Sequence, residues 1–349
     1  MAGPEALLPA GKLPHHVLRD MLKRYAGGDD PRLLVGPGLG EDAAVIDFGD
    51  TCLVAKTDPI TFATDRIGWY AVHVNANDIA AMGATPRWFL PCVVVPEQQA
   101  TEALFDDILG QIREACASLG ITVAGGHTEI SYGIDRPLVV GQMLGEVGRD
   151  DIVRTSGLQP GDDLLLTKGL AIEATAIIAR EKSDDLRRRG WSQPDLDRCA
   201  GYQTDPGISV VTDARLALAA GDVHALHDPT EGGVATGLLE MATASGVGLE
   251  VFADRLPASD DSQRVCAAFD IDPFGVISSG ALLIGCPAAS TESIISRLDD
   301  AGISCCPIGK AHPEDFGQRL LQADGTFDDL PRFEVDEIAR LFARDPHDP

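Results

Sequence analysis

The side chains best suited to chemistry in this sequence are short carboxylates set beside glycines or against apolar runs. Gly38-Leu39-Gly40-Glu41-Asp42-Ala43 presents two acids on a glycine turn, and Lys56-Thr57-Asp58 ends an apolar stretch. Asn75-Ala76-Asn77-Asp78 leads into Ile79-Ala80-Ala81-Met82-Gly83-Ala84. Gly125-Gly126-His127-Thr128-Glu129 follows another apolar stretch, and His227-Asp228-Pro229-Thr230-Glu231-Gly232-Gly233 precedes a run opening at Val234. Carboxylates suit hard cations such as Mg²⁺. Paired glycines let a backbone come close to a ligand, and the free amides of a helix start meet phosphate. Taken singly, each segment also has a plain explanation. An acidic turn, a loop histidine and a capped Pro-containing turn are ordinary structure. Asn75 and Asp78 share one helical face, but an Asn or Asp there also serves as an N-cap.

Other chemistries are excluded by pattern. The spacing of Gly38, Gly40 and Ala43 formally matches a dinucleotide fingerprint, which requires a helix start aimed at pyrophosphate. Here Ala43 to Phe48 reads as strand, and Glu41 with Asp42 repels phosphate unless a cation lies between. The sequence holds no Walker A pattern, no G-x-S-x-G elbow and no H-E-x-x-H. His224 and His227 stand three apart, yet no third zinc ligand accompanies them. The eight cysteines are scattered without a C-x-x-C, so free and mostly buried thiols are expected.

The elements that must position these residues alternate between strand and helix along 349 residues, a length that suggests two domains. Apolar spacing predicts a helix over 12–25, short strands over 33–35, 43–48 and 51–56, a helix over 67–82 and a strand over 87–95. A long helix over 101–119 follows, then strands over 121–124 and 137–147. Turn chemistry from Arg154 to Asp163 marks a boundary, placed so that residues 1–152 and 153–349 form the two domains. Beyond it come a strand over 164–167 and a helix over 172–179, then a charged helical excursion over 181–205. Helices over 209–220, 232–245 and 291–301 interleave with strands over 225–226, 249–252 and 281–285. The tail 343–349 is polar and expected to fray. Interleaving of this kind argues for an α/β or α+β architecture.

Charge excludes further partners. With 28 basic and 54 acidic side chains the net charge is −26, so a nucleic acid would be repelled. The acids are 38 Asp against 16 Glu, and the bases 22 Arg against 6 Lys, which makes a densely hydrated surface whose self-repulsion salt screens. No apolar run of about 18 residues is present, so a membrane span is not expected. Residues 1–13 lack the pattern of a signal peptide, and a cytoplasmic protein is the expectation.

Read in order, the segments add up. Gly40-Glu41-Asp42-Ala43-Ala44, Thr57-Asp58, Asn77 to Gly83 with Pro86-Arg87, Gly125-Gly126-His127-Thr128 and Asp228-Pro229-Thr230-Glu231-Gly232-Gly233 form a series that resembles the aminoimidazole ribonucleotide (AIR) synthase superfamily. That superfamily includes PurM, thiamine-monophosphate kinase, selenophosphate synthetase and the hydrogenase-maturation protein HypE. The resemblance runs from about Gly11 to Phe333. Asp228 to Thr236, Ser245 to Gly248 and Leu166 to Ala176 bring it closest to HypE-like and AIR synthase-related members. It implies a PurM-like two-domain fold whose N-terminal strands form a barrel across a homodimer. It also implies ATP bound between the domains and Mg²⁺ held by N-terminal carboxylates. Carried over residue by residue, Asp42, Asp58 and Asp78 would hold metal, with Thr57 beside them. Asn77, Gly125 and Gly126 would approach the nucleotide, and Asp228 would lie near the reacting group. Lys56, Lys168 and Arg154 are the sparse cations available, and Lys56, beside the implied acids, joins His127 and Asp228 as a catalytic candidate.

Two departures shape the functional expectation. Relatives commonly carry Asp where this chain has His127, and imidazole is a poor Mg²⁺ ligand, so an acid–base role is the alternative. HypE proteins end in a cysteine that carries the modified group, whereas this sequence ends Arg344-Asp345-Pro346-His347-Asp348-Pro349. The resemblance therefore implies an ATP- and Mg²⁺-dependent enzyme that phosphorylates an amide-like or other oxygen acceptor, small or protein-borne. A kinase resembling thiamine-monophosphate kinase and a non-catalytic, nucleotide-binding HypE paralogue acting in maturation complexes are the alternatives.

Overall fold

The computed structural model describes Leu8, Gly28 and Ala63 and residues 11–26, 30–38, 40–61 and 65–343. Leu39, Gly27, Asp29 and the tail from 344, on which parts of the turn and fraying expectations fall, lie outside the described residues. The first half runs α1 (His15–Tyr25), β1 (Leu33–Val35), β2 (Ala44–Asp47), β3 (Thr51–Ile60), α2 (Ile67–Ala81), β4 (Thr85–Pro96), α3 (Glu102–Leu119), β5 (Thr122–Val123), β6 (His127–Ser131) and β7 (Leu138–Gly148). The second half begins β8 (Asp162–Thr167), α4 (Ile172–Glu181), α5 (Ser183–Arg188), α6 (Gln193–Ala200), α7 (Val211–Ala220), β9 (Ala225–His227), α8 (Gly233–Ser245) and β10 (Val247–Phe252). It closes with α9 (Asp260–Ala268), β11 (Leu283–Pro287), α10 (Ala288–Asp299), β12 (Cys305–Pro313), β13 (Gln318–Leu321), β14 (Phe327–Asp329) and α11 (Glu337–Ala343).

Each half builds one mixed sheet. The N-terminal order is β1-β2-β3-β7-β4-β5, with β6 also on β4, and the C-terminal order is β14-β13-β10-β12-β8-β11-β9. Most neighbours are antiparallel; β5 and β6 run parallel to β4, and β13 parallel to β10. The choice between α/β and α+β thus falls to α+β. Among the described residues no helix is long and apolar enough to cross a membrane. All eight cysteines are free, and five are buried.

Three differences from the periodicity reading matter for the site. Strand β3 runs on to Ile60, so Thr57 and Asp58 stand within a strand instead of at its end. Its partner β7 is long enough to pair all the way, Thr57 with Gln142 and Asp58 with Gly141. His127 opens strand β6 instead of sitting in a loop, because it pairs with Cys92 of β4. The exposed sequence His-Thr-Glu-Ile-Ser has no apolar alternation to announce a strand. The segment 260–343 holds α9, β12 to β14 and α11, where polar and Pro-interrupted sequence hid them.

Helix α2 is the centre of the first half. Of its residues only Trp69 escapes full burial, so it is enclosed on all sides. It lies against β7 and β3 on one side and touches α7 and β9 of the other half. It can come so close to β7 because Gly141 and Gly145 face it. A methyl on Gly141 would overlap the Asn75 amide, and one on Gly145 would overlap Ile79. We expect Gly141→Ala to cost about 1–3 kcal/mol, the usual cost of overpacking. A melting temperature equal to that of the parent would show that the helix has room to retreat.

Candidate active site

A helix buried on every side must find partners for its polar residues. Helix α2 carries three in a row of four, and each solves this differently. Asn75 Oδ1 accepts from Asp58 N at 2.9 Å, while its Nδ2 donates to Ala71 O at 2.9 Å and Asp58 O at 3.3 Å. The amide therefore clamps the backbone that presents Asp58. Asn77 faces the second half of the chain: Nδ2 donates to Ile208 O and Oδ1 accepts from Val210 N, both at 2.8 Å. Asp78 is 4% exposed and meets Lys56 Nζ at 2.8 Å; the same ammonium lies 3.4 Å from Asp58. These positions are interior to the helix, so the N-cap explanation of this segment does not hold.

Around Asp78 the two halves bring three acids together. Asp42 from the turn before β2, Asp78 from α2 and Asp228 after β9 each offer a carboxylate oxygen, and these oxygens lie within 4.8 Å of one another. All three are buried. Asp42 is held by Thr155 Oγ1 at 3.1 Å and by His227 Nδ1 at 2.8 Å. His227 in turn contacts Glu240 of α8 at 3.0 Å through Nε2. Asp228 has no hydrogen-bond partner on either oxygen, and Asp78 has none on Oδ2.

The electrostatics follow from this crowding. Burial, reinforced by the neighbouring acids against the pull of Lys56, pushes the Asp78 carboxyl up to about 8. Burial with the charges of Asp78 and Asp42 drives Asp228 well above the usual carboxylate range. Burial alone would lower the Lys56 pKa, but Asp78 and Asp58 hold it well above its ordinary value. His227, which burial alone would also lower, is raised by Asp42 and Glu240. A cluster of this sign with orphaned oxygens fits a hard cation with oxygen ligands, Mg²⁺ among them. The all-carboxylate donor set does not suit zinc or copper.

Beside the cluster a cleft of about 590 Å³ opens between the halves. Asp58, Pro59 and Thr61 form one wall, Glu173, Ile277 and Ser279 the other, and Phe342 of α11 closes one side. Lys12 crosses its edge: its backbone N donates to Glu231 Oε2 at 2.6 Å and its Nζ to Thr230 Oγ1 at 2.9 Å. The turn that presents Asp228 is anchored from the far end of the chain, since Gly232 N donates to Asp336 at the start of α11. Lys12, Glu173 and His227 with Glu240 were not foreseen as a group. Only the fold joins positions so distant in sequence.

The remaining predicted residues lie apart from the acid cluster. Thr57 is exposed on β3. Asn77 has both amide ends committed to the domain seam. Gly125 and Gly126 are exposed, and a side chain on Gly126 would strike the Pro91 carbonyl of β4. His127 is exposed, its Nε2 3.2 Å from Glu129. Lys168 is not available to a ligand in the cleft: it is buried against Asp213 at 3.1 Å and donates to Ser209 O at 2.6 Å. Arg154 donates to Leu34 O. His224 bonds Asp162 while His227 bonds Asp42, because residues three apart near a strand face opposite ways. They form no common zinc pair.

Comparison with known proteins agrees with this architecture. The model of the AIR synthase related protein N-terminal domain matches residues 40–147, and that of its C-terminal domain matches residues 159–319. A selenide, water dikinase of Geobacter metallireducens is 32% identical over 263 residues, covering 71% of this chain and 70% of its own. A putative hydrogenase expression/formation protein of Methanocaldococcus jannaschii is 26% identical over 306 residues, 86% of either chain. The solved structure of the hydrogenase maturation protein HypE in complex with ATP superposes with a TM-score of 0.69 at 22% identity. It covers 95% of this chain and 98% of the other.

Proposed function

The chain belongs to the AIR synthase related protein family and is HypE-like within it, and from that footing we propose an ATP- and Mg²⁺-dependent enzyme that phosphorylates an oxygen of its acceptor. The observation that carries this reading is the set of three buried carboxylates whose oxygens converge, with both oxygens of Asp228 and Oδ2 of Asp78 lacking a hydrogen-bond partner. An arrangement of this kind costs folding energy unless a cation is bound. Mg²⁺ held there supplies the charge that neutralises transferring phosphate oxygens.

The protein's own groups then have separate tasks. Asp42, Asp78 and Asp228 hold the cation, and His227 with Thr155 orients Asp42. Asp58, fixed by Asn75, stands where cluster and cleft meet. Lys56 is shared between Asp78 and Asp58, and would be available to phosphate if a bound cation replaced it at Asp78. Asp228, carried by the second half, would complete the ligand set with Asp42 and Asp78 of the first. Thr57 and the Gly125-Gly126-His127 turn, exposed on the same sheet, face the nucleotide. The exposed apolar side chains Val123, Ile130 and Tyr132 around β5 and β6 support a homodimer joined through that edge.

Calorimetric titration with a non-hydrolysable ATP analogue tests this. We expect Mg²⁺-dependent binding to the parent chain and at least about tenfold weaker binding to Asp78→Asn, since charge-assisted ligation is lost. Binding indifferent to Mg²⁺ or to Asp78 would refute the metal assignment. Binding without any turnover across amide and phosphate acceptors would favour the non-catalytic reading.

A further inference from the structure

We propose that the inner end of the cleft between the two halves is a subsite for a cationic nitrogen group, an amine or amidine, held by the Glu173 carboxylate and the Ser279 hydroxyl. The assignment of this group to the acceptor rests on the reading of the cleft given above; the subsite itself rests on geometry. Glu173, in the first turn of α4, is 3% exposed, and Ser279 is 1% exposed, yet both line the cleft. Glu173 Oε2 accepts from Ser279 N at 3.2 Å, which sets the two side chains together. The buried Ser279 Oγ makes no well-formed hydrogen bond, and its one polar neighbour is the Glu173 carboxylate itself, so the pair can receive a donor together.

The charge around this end has one sign. Among the described residues no cation forms an ion pair with Glu173. Burial pushes its carboxyl up to about 7 against the opposing hydrogen bonds from Ser279, and the charges of Asp336 and Glu231 push the same way as burial. The two cations on the cleft wall are committed elsewhere. Lys12 is bonded to Thr230, and Arg136 donates to Thr61 O and lies 3.6 Å from Asp135. A buried carboxylate without a counter-charge is costly, and a ligand cation with N–H donors removes that cost while satisfying the free hydroxyl. A neutral amide offers the donors without the charge, and an anion offers neither.

The walls between this end and the acid cluster are apolar. Ile177, Ile277, Val74 and Phe342 flank the space, enough for the carbon body of a small molecule. On the facing wall stands Asp58, which shares Lys56 with Asp78. A molecule anchored by its nitrogen at Glu173 therefore lies across the cleft from Asp58, the lining residue that shares a lysine with the acid cluster. The acceptor class this describes is a small organic cation with a nucleophilic or carbonyl oxygen remote from its nitrogen.

Three probes of one shape separate charge from hydrogen bonding: benzamidine, benzamide and benzoate. Each is titrated calorimetrically into the full chain in about 0.5 M KCl, where the net charge is screened to a few ångströms. We expect one benzamidine per chain, bound about tenfold more tightly than benzamide, and no binding of benzoate. Glu173→Gln should weaken benzamidine about tenfold and leave benzamide within twofold; Ser279→Ala should weaken both. Equal affinity for benzamidine and benzamide, or affinity for benzamidine unchanged by both substitutions, overturns the proposal. Because Glu173→Gln removes an unpaired buried charge, it should fold, and its melting curve verifies this; Ser279→Ala carries the test if it does not. None of these titrations needs nucleotide. Glu173-dependent benzamidine binding without any ATP binding would sink the phosphotransfer reading alone. Mg²⁺-dependent ATP binding without charge preference would sink the subsite alone.

Discussion

Asp228→Asn should be more stable than the parent in EDTA and nearly inactive in Mg²⁺. Both effects come from one fact: the Asp228 carboxylate is 2% exposed, has no hydrogen-bond partner on either oxygen and faces Asp42 and Asp78. An unsatisfied buried polar group costs about 1–3 kcal/mol, more when charged. Asparagine keeps the shape and drops the charge, so a rise of a few degrees in melting temperature is expected in chelator. The same change removes a metal ligand where charge develops during phosphoryl transfer. Loss of several kcal/mol of such stabilisation slows turnover by about a thousandfold. Scanning calorimetry in EDTA and in Mg²⁺, with ATP turnover on the same samples, measures both. A variant that melts lower than the parent in EDTA would mean that Asp228 already has a partner when no metal is present.

Lys56→Met should behave in the opposite way. Lys56 Nζ is the only described cation within 4 Å of Asp78, which is itself 4% exposed. Removing one member of a buried pair typically costs about 3–5 kcal/mol, because the other is left dry and must stay charged or take up a proton. Mg²⁺ supplies the missing positive charge, so the variant should gain more from it than the parent does. Saturation at about a hundred times the dissociation constant adds about 2.7 kcal/mol to any state that binds, and tighter binding adds more. The expected signature is a large loss in EDTA, a larger Mg²⁺-induced rise in melting temperature than in the parent, and poor turnover in both conditions. An identical Mg²⁺-induced rise in parent and variant would place the cation away from Asp78.

The ordered motifs made the family legible in the sequence because each is a local signal: a glycine turn, an Asn-Asp pair before small residues, a Pro-Thr turn before a helix. The long strands and helices of the first half were equally plain, since their apolar spacing is regular. What escaped was set by pairing and by distance. Strand β6 exists because β4 offers it an edge, and its own exposed residues carry no pattern. Lys168 is one of the few cations the sequence offers to a ligand, but the fold buries it against Asp213. For Asn77 the family resemblance implies a nucleotide contact, and in the fold both ends of its amide bond the backbone of the other half at Ile208 and Val210. Glu173 carries no signal of its own in the apolar helix segment Ile172–Glu181. Its isolation emerges only when Ser279, more than a hundred residues later, is brought beside it.

Asn77 and Asp78 are consecutive residues of one rigid helix, one fastened to the opposing half at Ile208 and Val210, the other facing Asp228. The carboxylate cluster likewise draws Asp42 and Asp78 from one side of the boundary and Asp228 and His227 from the other. The two halves are therefore not interchangeable modules, although each has its own sheet and its own family model. A chimera spliced between residues 150 and 160 would inherit two intact folds and half of every contact that matters. Exchange between relatives of this architecture must preserve the seam and the acids together, so recombination is constrained far more tightly than the tidy division of the chain into two suggests.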